Sequence, residues 1–362
     1  MENPGRREFV KTLALGLGAF SLLKTEEALS AGFNAFIELP PLPFEETLIT
    51  GKRKGSRVLI VGGIHGNEPG AYKAAEILRH LKVKRGELLI APRANFVSIL
   101  TNRRGYNGDM NRKFAHISTK DPDYPKVKRL KELIKSYRPD LLLTLHDGFG
   151  FHSVNPSAWG QCIVIDEERY KGIELGKPAR EVSKRVNKLI TKKSWKIPVF
   201  NTHTFSKNTK HPEQRKSLTY FCLKECSVPA ICLETSKQLP DLYLKTKFHL
   251  MMIREFFRLK GVETEPSIDW VIENLKEFLE PRVNYGAELL INGRKITVSS
   301  NRTFKLPKKS SVKFLSFHGT AGTNAITEDL NANLRKVGIR RRIAFKVKDD
   351  FKELFTVRFV IA

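Results

Sequence analysis

A histidine and a glutamate lie three positions apart in the glycine-rich segment GGIHGNEPG, residues 62–70. This segment follows an apolar run of strand length at residues 57–61. His65 and Glu68 in a tight turn can both face one cation, because the glycines let the backbone bend sharply. The H-x-x-E spacing is a weak signal by itself, and a glycine-rich turn after a strand also suits a phosphate group. The rest of the sequence must therefore decide between these two kinds of site.

Two further apolar runs end in ionisable residues. Residues 140–145 lead into His146, and residues 229–233 lead into Glu234. Open α/β sheets bind ligands beyond the carboxyl ends of their strands, so we expect these side chains at one edge together with the glycine-rich turn. Two imidazoles and one carboxylate are suitable zinc ligands that leave a coordination position open, and a second carboxylate can take a proton from water.

The sequence thus predicts one zinc ion per chain, bound by His65, Glu68 and His146, with Glu234 as the general acid/base. If one of these ligands is misassigned, the next candidates are His152 and His203.

A third segment, NRRGYNGDMNR at residues 102–112, is rich in arginine and asparagine. Arginine binds carboxylates through two parallel hydrogen bonds, and an adjacent asparagine can donate a further one. The loop is therefore suited to the free carboxylate of a substrate. The alternative is a solvated basic loop, which is the simpler explanation for such a segment on its own.

These segments need a sheet to bring them together, and the chain has the pattern of one. Apolar runs of strand length alternate with segments of helical period, such as residues 71–82 and 124–137. Strands that alternate with helices predict an α/β domain with a mixed, mainly parallel sheet flanked by helices. We assign residues 32–262 to this domain.

Residues 261–266, GVETEP, break the pattern and are predicted to form a linker. An amphipathic helix at residues 268–279 and several short strands separated by turn residues follow it. This order predicts a helix and a small, mainly antiparallel β domain at residues 263–362. Nothing in this part of the sequence suggests chemistry.

The first residues have the features of an export signal. The pair Arg6-Arg7 precedes an apolar stretch at residues 12–23, and small residues follow where a signal peptidase cleaves. We expect a twin-arginine-like signal peptide at residues 1–31 and a periplasmic or otherwise exported protein. The alternatives are an amphipathic N-terminal helix and an uncleaved anchor.

The composition is strongly basic, with 64 Lys and Arg against 38 Asp and Glu and a net charge of +26. Such a surplus predicts an anionic partner, for which an anionic cell-wall polymer and a membrane surface are both suitable. The sequence lacks a helix-turn-helix, zinc-finger or RNA-binding motif, so we expect no nucleic acid partner.

Three of the four cysteines, Cys222, Cys226 and Cys232, are close in sequence. Their spacing is compatible with a metal site, but Cys232 lies in an apolar run, which favours a buried small residue. Whether they form a disulfide is left open at this point.

The chemical residues together resemble a known family. His65-x-x-Glu68, then Asn111-Arg112, His146 and Glu234 are similar to the ordered set of the M14-like metallocarboxypeptidases. A closer resemblance is to the M99 peptidases, bacterial cell-shape carboxypeptidases that trim peptidoglycan stem peptides. It covers roughly residues 50–240 and is carried by four stretches: LHDGFGF at 145–151, WGQCIVID at 159–166, KNTK at 207–210 and SLTYF at 217–221.

This resemblance implies a metallocarboxypeptidase-like fold and a zinc-dependent D,L-carboxypeptidase. Its substrates would be peptidoglycan muropeptides, and it would remove the terminal diaminopimelate from a tripeptide stem. Residue by residue, it implies the metal ligands and general acid/base named above. It also implies a carboxylate grip formed by Arg104, Asn111 and Arg112, and a substrate groove lined by Trp159 and Thr209.

Two other functions would use the same residues. An N-acyl amino acid deacylase of the aspartoacylase type would act on a small substrate, but the export signal argues against it. A non-catalytic protein that binds wall peptides would need no general base, and the intact Glu234 argues against that.

Overall fold

The computed structural model of the chain describes residues 32–327 and 336–362. The described residues divide into two compact units, one formed by Leu42–Val283 and the other by the described residues up to Pro41 together with those from Asn284 onward. The predicted export signal, residues 1–31, lies outside the described residues. Within the described ranges, no helix is both long enough and apolar enough to cross a membrane.

The strands are numbered in chain order. They are β1 (Ala35–Glu38), β2 (Thr47–Thr50), β3 (Arg53–Val61), β4 (Lys82–Ala91), β5 (Leu141–Gly148), β6 (Cys162–Ile165), β7 (Arg169–Tyr170), β8 (Ile173–Glu174), β9 (Val199–Asn201), β10 (Ala230–Ser236), β11 (Glu263–Glu265), β12 (Gly286–Ile291), β13 (Arg294–Val298), β14 (Arg302–Leu306), β15 (Ser310–His318), β16 (Thr323–Ile326), β17 (Lys336–Ile339), β18 (Arg342–Asp349) and β19 (Lys352–Ile361).

The α-helices are numbered in the same way. They are α1 (Pro69–Leu78), α2 (Phe96–Leu100), α3 (Tyr124–Tyr137), α4 (Gly176–Lys188), α5 (Leu218–Cys226), α6 (Leu242–Lys260), α7 (Ile268–Glu273) and α8 (Leu275–Leu279). Short 3₁₀ turns occur at Met110–Arg112, Lys193–Trp195 and Pro212–Lys216.

The Leu42–Val283 unit is built on an eight-stranded sheet in the order β11-β4-β3-β5-β10-β6-β9, with β2 paired to β4. Strands β4, β3, β5 and β10 are parallel to one another, whereas β6 runs antiparallel to β10. The prediction of a mixed, mainly parallel sheet is confirmed. Four parallel strands consequently end at the same edge.

The sheet is buried on both faces, which explains why its central strands are continuous apolar runs. Residues that alternate along β3 belong to two separate cores: Val58 and Ile60 pack with α1, α4 and α6, whereas Leu59 and Val61 pack with α3 and α5. The helices therefore flank the sheet on both sides, as the sequence pattern predicts.

The predicted division between the two parts of the chain is wrong. Residues 261–266 do not form a linker, because β11 pairs with β4 at the edge of the large sheet. Ile268, Val271 and Leu275, from the two following helices, pack in the same core as Phe256 of α6. The first unit therefore continues to residue 283 and not to residue 262.

The second unit contains two sheets, ordered β13-β12-β15-β1-β17 and β14-β19-β18-β16. Residues of both sheets share one apolar core, which includes Ile37, Leu289, Phe314, Phe345 and Phe359. Most pairs are antiparallel, which confirms the predicted β domain, although β1 is parallel to β15 and β14 is parallel to β19. Strand β1, far upstream, also belongs to this unit, which the sequence pattern did not predict.

Candidate active site

The turn between β3 and α1 carries two of the predicted ligands. Its glycines are required for steric reasons: Gly63 has φ of +67°, and a Cβ atom on Gly66 would lie 1.9 Å from the backbone of Ser98. Helix α1 starts with Pro69, so Glu68 occupies the N-cap position, and its side chain does not bond to the helix amides. The Glu68 carboxylate is therefore available to face His65.

His146 and Glu234 come from the neighbouring strands β5 and β10. The two residues are direct partners in the parallel register of these strands. As the sequence predicts, the sheet brings the glycine-rich turn and these two strand ends to one edge.

Three donor groups converge at this edge. The Nδ1 atom of His65 lies 3.0 Å from Oε1 of Glu68 and 3.0 Å from Nδ1 of His146. The Nδ1 atom of His146 lies 2.8 Å from Oε2 of Glu68. All three residues are buried, at 2% exposure each. One nitrogen from each ring and the intervening carboxylate thus face a common point.

This donor set fits a divalent cation. Donor atoms of His65, Glu68 and His146 all lie within 4.8 Å of one another, the arrangement expected of metal ligands. Two imidazoles and one carboxylate, with the remaining side open to a cavity, match a catalytic site better than a closed structural one.

The protonation states of Glu68 and His146 also fit. Burial alone would raise the pKa of Glu68, but the charge of His65 and the hydrogen bond from His146 hold that pKa well below its usual value. Burial lowers the pKa of His146. An ionised carboxylate and a neutral imidazole are the forms that bind a metal. For His65, burial lowers the pKa, but Glu68 and Asp109 outweigh it and the net pKa is raised.

Outer hydrogen bonds orient the three donors. Oδ1 of Asp109 lies 2.9 Å from Nε2 of His65, on the far side of the ring from Glu68. The backbone N–H of Asp147 donates to Oε2 of Glu68, and the hydroxyl of Thr144 lies 3.3 Å from Nε2 of His146. Such contacts fix the ring orientations of metal ligands.

Asp147 ties the elements of the site together. Its buried carboxylate accepts hydrogen bonds from the backbone of Gly70 and the hydroxyl of Thr235, and it also contacts Nε2 of His249. These partners belong to α1, β10 and α6, so a single side chain on β5 links the turn that carries Glu68 to the strand that carries Glu234.

Glu234 stands apart from this network. It is 7% exposed, and its Oε2 atom has no hydrogen-bond partner in the described part of the chain. Burial, followed by the charges of Glu68 and Asp147, raises the pKa of Glu234 well above its usual value. A carboxyl group beside a metal site that has a free oxygen and a raised pKa is suited to proton transfer.

The arginine-rich loop reaches the same cavity. Oδ1 of Asn111 accepts a hydrogen bond from the backbone of Leu218, which leaves the Asn111 NH₂ group to donate elsewhere. Arg112 lines the cavity beside it. Arg104 also lines the cavity, but it donates to Asp109 and Glu68 and is therefore held against the donor cluster.

The cavity has a volume of about 510 Å³. Trp159 lines it, in edge contact with Phe200 and His211. Thr209 does not line it, because its hydroxyl donates to the carbonyl of Thr202 within a turn. The alternative ligands His152 and His203 are also elsewhere. His152 stacks on Phe200, and the exposed His203 pairs with Glu167.

Several lining residues were missed by the sequence analysis: Asp166, Gln214, Thr219 and Lys237. Asp166 directly follows the buried strand β6, so the rule that identified His146 and Glu234 also applied to it. Lys237 extends to within 3.4 Å of Oε1 of Glu68, a contact without a sequence signal.

The four cysteines are free. Cys162 and Cys222 are buried, and Cys232 lines the cavity with its sulfur 3.6 Å from Oε1 of Glu234. Cys232 is not one of the three clustered donors, but it is only partly buried, so the expectation of a buried small residue is not met.

Comparison with known proteins decides the family. Residues 31–278 match the model of a family described as carboxypeptidase controlling helical cell shape, catalytic. The chain belongs to this carboxypeptidase family. No curated protein matches the sequence significantly.

Solved structures support the same fold for this carboxypeptidase. It is similar to a variant of the cell shape determinant protein Csd4 from Helicobacter pylori, with a TM-score of 0.69, 24% identity, and coverage of 87% of this chain and 76% of that chain. It is also similar to tripeptide-bound Csd4, with a TM-score of 0.60, 19% identity, and coverage of 88% and 100%. The mDAP-bound form of Csd4, described as a D,L-carboxypeptidase, gives a TM-score of 0.57 at 19% identity, with coverage of 88% and 100%.

Proposed function

We propose that this carboxypeptidase is a zinc-dependent D,L-carboxypeptidase that trims peptidoglycan stem peptides and removes the terminal diaminopimelate of a tripeptide. The main support for this proposal is that one cavity is lined by three groups of residues: the three clustered donors, Glu234 with its unpaired Oε2 atom, and the Asn111-Arg112 pair.

Zinc is the metal that we propose for His65, Glu68 and His146. Two imidazoles with one carboxylate and an open side are a common catalytic zinc set. When bound, zinc would lower the pKa of a water molecule toward about 7 and polarise the scissile carbonyl.

Glu234 is the proposed general acid/base. It takes the proton of the attacking water and delivers it to the amine of the leaving residue, so it must bind a proton readily between the two steps. Burial and the charges of Glu68 and Asp147 raise the pKa of Glu234, which favours retention of the proton between these two steps.

The Asn111-Arg112 pair is the proposed grip for the substrate's terminal carboxylate. Arg112 can pair with a carboxylate through two hydrogen bonds, and the Asn111 NH₂ group adds a third. Holding the end of the chain at a fixed place in the cavity allows only the last peptide bond to reach Glu234, which gives exopeptidase specificity. Arg104 instead donates hydrogen bonds to Asp109 and Glu68, so we assign it the role of positioning these two carboxylates.

The substrate class is proposed from relatives of the same fold. Csd4 structures are described as bound to a tripeptide and to mDAP, and Csd4 as a D,L-carboxypeptidase. A family named for cell shape is consistent with a cell-wall substrate.

We further propose that the protein is exported through a twin-arginine-like signal at residues 1–31, since peptidoglycan lies outside the cytoplasm. The net charge of +26 supports an additional contact with an anionic wall polymer or membrane surface. No nucleic acid partner is proposed.

The decisive experiment is incubation of the purified protein with muropeptides that carry tri-, tetra- or pentapeptide stems, followed by mass spectrometry. We expect release of diaminopimelate from the tripeptide only, and loss of release after a chelator, with recovery on adding zinc. N-acyl amino acids serve as the second substrate set. Hydrolysis of these in place of the muropeptides would favour a deacylase, and binding without any hydrolysis would favour a wall-peptide-binding protein.

A further inference from the structure

Asp166 is a buried carboxyl group in the cavity that the proposed mechanism does not use. It follows β6, is 3% exposed and lines the cavity together with Thr219 and Arg112. Its Oδ1 atom accepts a hydrogen bond of 2.6 Å from the hydroxyl of Thr204. Its Oδ2 atom has no hydrogen-bond partner in the described ranges.

An unsatisfied carboxylate oxygen in a buried position is costly, and folded proteins rarely keep one without a reason. Burial raises the pKa of Asp166, and the hydroxyls of Thr204 and Thr219 offset this only in part. The other group that shifts this pKa is the carboxylate of Glu167, which raises it further. None of these groups carries a positive charge, so a cationic ligand could compensate the carboxylate of Asp166.

Contacts connect Asp166 to the proposed carboxylate grip. The side chain of Asn111 is bonded to the backbone of Leu218, the first residue of α5. The next residue, Thr219, lies beside Asp166. The grip and Asp166 thus meet at the start of the same helix, where a substrate bound by its terminal carboxylate would place its last residue.

We propose that Asp166 binds an ammonium group on the side chain of the substrate's C-terminal residue and so makes the cavity selective for a diamino acid. This inference rests on the proposed carboxypeptidase function. It adds the residue of the protein that recognises the side chain of the amino acid to be removed. A cation there would complete the hydrogen bonds of Oδ2 and compensate the buried charge. A neutral side chain of the same length would leave Oδ2 unpaired.

The test compares two tripeptides that differ in one group: one ends in meso-diaminopimelate, and the other ends in 2-aminopimelate, which lacks the distal amine but keeps both carboxylates. For the wild-type protein we expect kcat/KM to be about 10- to 100-fold higher with the diamino acid, as for a charged hydrogen bond. In Asp166→Asn, which keeps an acceptor for Thr204, this preference should fall to within about twofold. The binding of the two free amino acids, measured by calorimetry, should follow the same pattern.

Glu167→Gln is the matched control, since it removes a neighbouring carboxylate whose partners are His203 and Asn201. It should keep the wild-type preference. If Asp166→Asn does not fold, Asp166→Ser, which is smaller and still accepts from Thr204, replaces it. Equal hydrolysis of both peptides by the wild type, or an unchanged preference in the Asp166 variant, would overturn the role of Asp166 but leave the carboxypeptidase function intact. Hydrolysis of neither peptide would overturn the proposed function and this inference with it.

Discussion

At the scale of single residues, the three clustered donors and Glu234 differ in their contacts. Donor atoms of His65, Glu68 and His146 lie within 4.8 Å of one another, close enough to bind one metal ion. The Oε2 atom of Glu234, in contrast, has no hydrogen-bond partner in the described part of the chain. Replacing one of the three donors should therefore affect metal binding, whereas replacing Glu234 should affect turnover.

The first prediction concerns the metal. His65→Ala, Glu68→Ala and His146→Ala should each lose bound zinc and activity together, because a three-ligand site has no spare donor. Metal content by mass spectrometry of the purified variants, with wild type at about one zinc per chain, is the measurement. His203→Ala, which alters an exposed histidine, is the control and should keep its metal. Unchanged zinc in the triple alanine variant would place the site elsewhere.

Glu234→Gln should keep zinc and substrate affinity while kcat falls by at least about 100-fold, the scale expected for loss of a general acid/base. The glutamine has nearly the same shape but cannot accept and return a proton. Metal content, calorimetric binding and turnover should be measured on one preparation, with Glu225→Gln on the surface of α5 as control. Loss of zinc in Glu234→Gln would show that Glu234 is a ligand instead.

Arg112→Ala should lower kcat/KM more than kcat, because the lost contact mainly binds the substrate's terminal carboxylate. Steady-state kinetics with the tripeptide would measure this. The control is Arg103→Ala, in the same loop. The Arg103 side chain stacks on Tyr106 and does not line the cavity. This variant should leave both constants within about twofold. Equal losses in the two variants would mean that general loop charge, and not a specific grip, binds the substrate.

Residues that end a buried strand are the ones whose place in the fold the sequence indicates best. His146 and Glu234 could be placed because a parallel sheet gathers its strand ends at one edge. Thr209 could not be placed, since a hydroxyl in a loop carries no periodic signal, and the structure uses it to close a turn. Thr219, at the start of α5, lines the cavity instead.

At the scale of elements, a buried ion cluster connects helix α1 to the sheet beneath it. Arg93, whose side chain is fully buried, pairs with Glu76 of α1 and with Glu45. Burial raises the pKa of Glu76, but the hydrogen bond with His80 and the charges of Arg93 and Arg79 outweigh it and lower the pKa to about 2. The cluster lies at the end of α1 opposite Glu68, so it supports the helix that begins at the site.

This cluster predicts a dependence of stability on pH. Because the folded pKa of Glu76 is about 2 and its ordinary value is 4.5, its contribution is present above pH 4.5 and is lost as the pH falls toward 2. Glu76→Gln should lower stability at pH 7 by on the order of 2–3 kcal/mol and flatten the acid side of the stability profile. Denaturant unfolding at pH 7 and pH 3 would test this.

The control for the cluster is Glu132→Gln on α3, whose carboxylate is half exposed and pairs loosely with Lys128. It should change stability by less than about 0.5 kcal/mol, as a surface ion pair does. If Glu76→Gln behaved like this control, the cluster would contribute little to the attachment of α1.

The errors in the predicted elements have one physical origin. Residues 263–265 form a strand at the edge of the sheet, where side chains need not be apolar. Their polar sequence, ETE, therefore has the composition of a linker. The short β1 likewise has only Ala35 and Ile37 buried, and its partners are strands near the other end of the chain. Strand pairing over such a separation has no local signal, whereas the central strands of the large sheet are apolar throughout.

At the scale of the whole molecule, the proposed function requires export, because peptidoglycan lies outside the cytoplasm. A fusion of residues 1–31 to a reporter should reach the periplasm, and Arg6→Lys combined with Arg7→Lys should retain it inside, because the pathway reads the arginine pair through a receptor. Cell fractionation gives the measurement. Export that survives this change but stops when the general secretion route is blocked would replace the twin-arginine assignment with an ordinary signal peptide.

The position of β1 also matters for how the protein is made. Ala35 is paired with Ser310 on one side and with Ile339 on the other, so β1 leaves the ribosome early and waits for both partners until almost all of the chain is synthesised. Every strand of the large sheet is complete before the first of these partners appears. A premature stop codon after residue 283 would therefore damage the beginning of the described chain as well as its end, by leaving β1 with two unpaired edges.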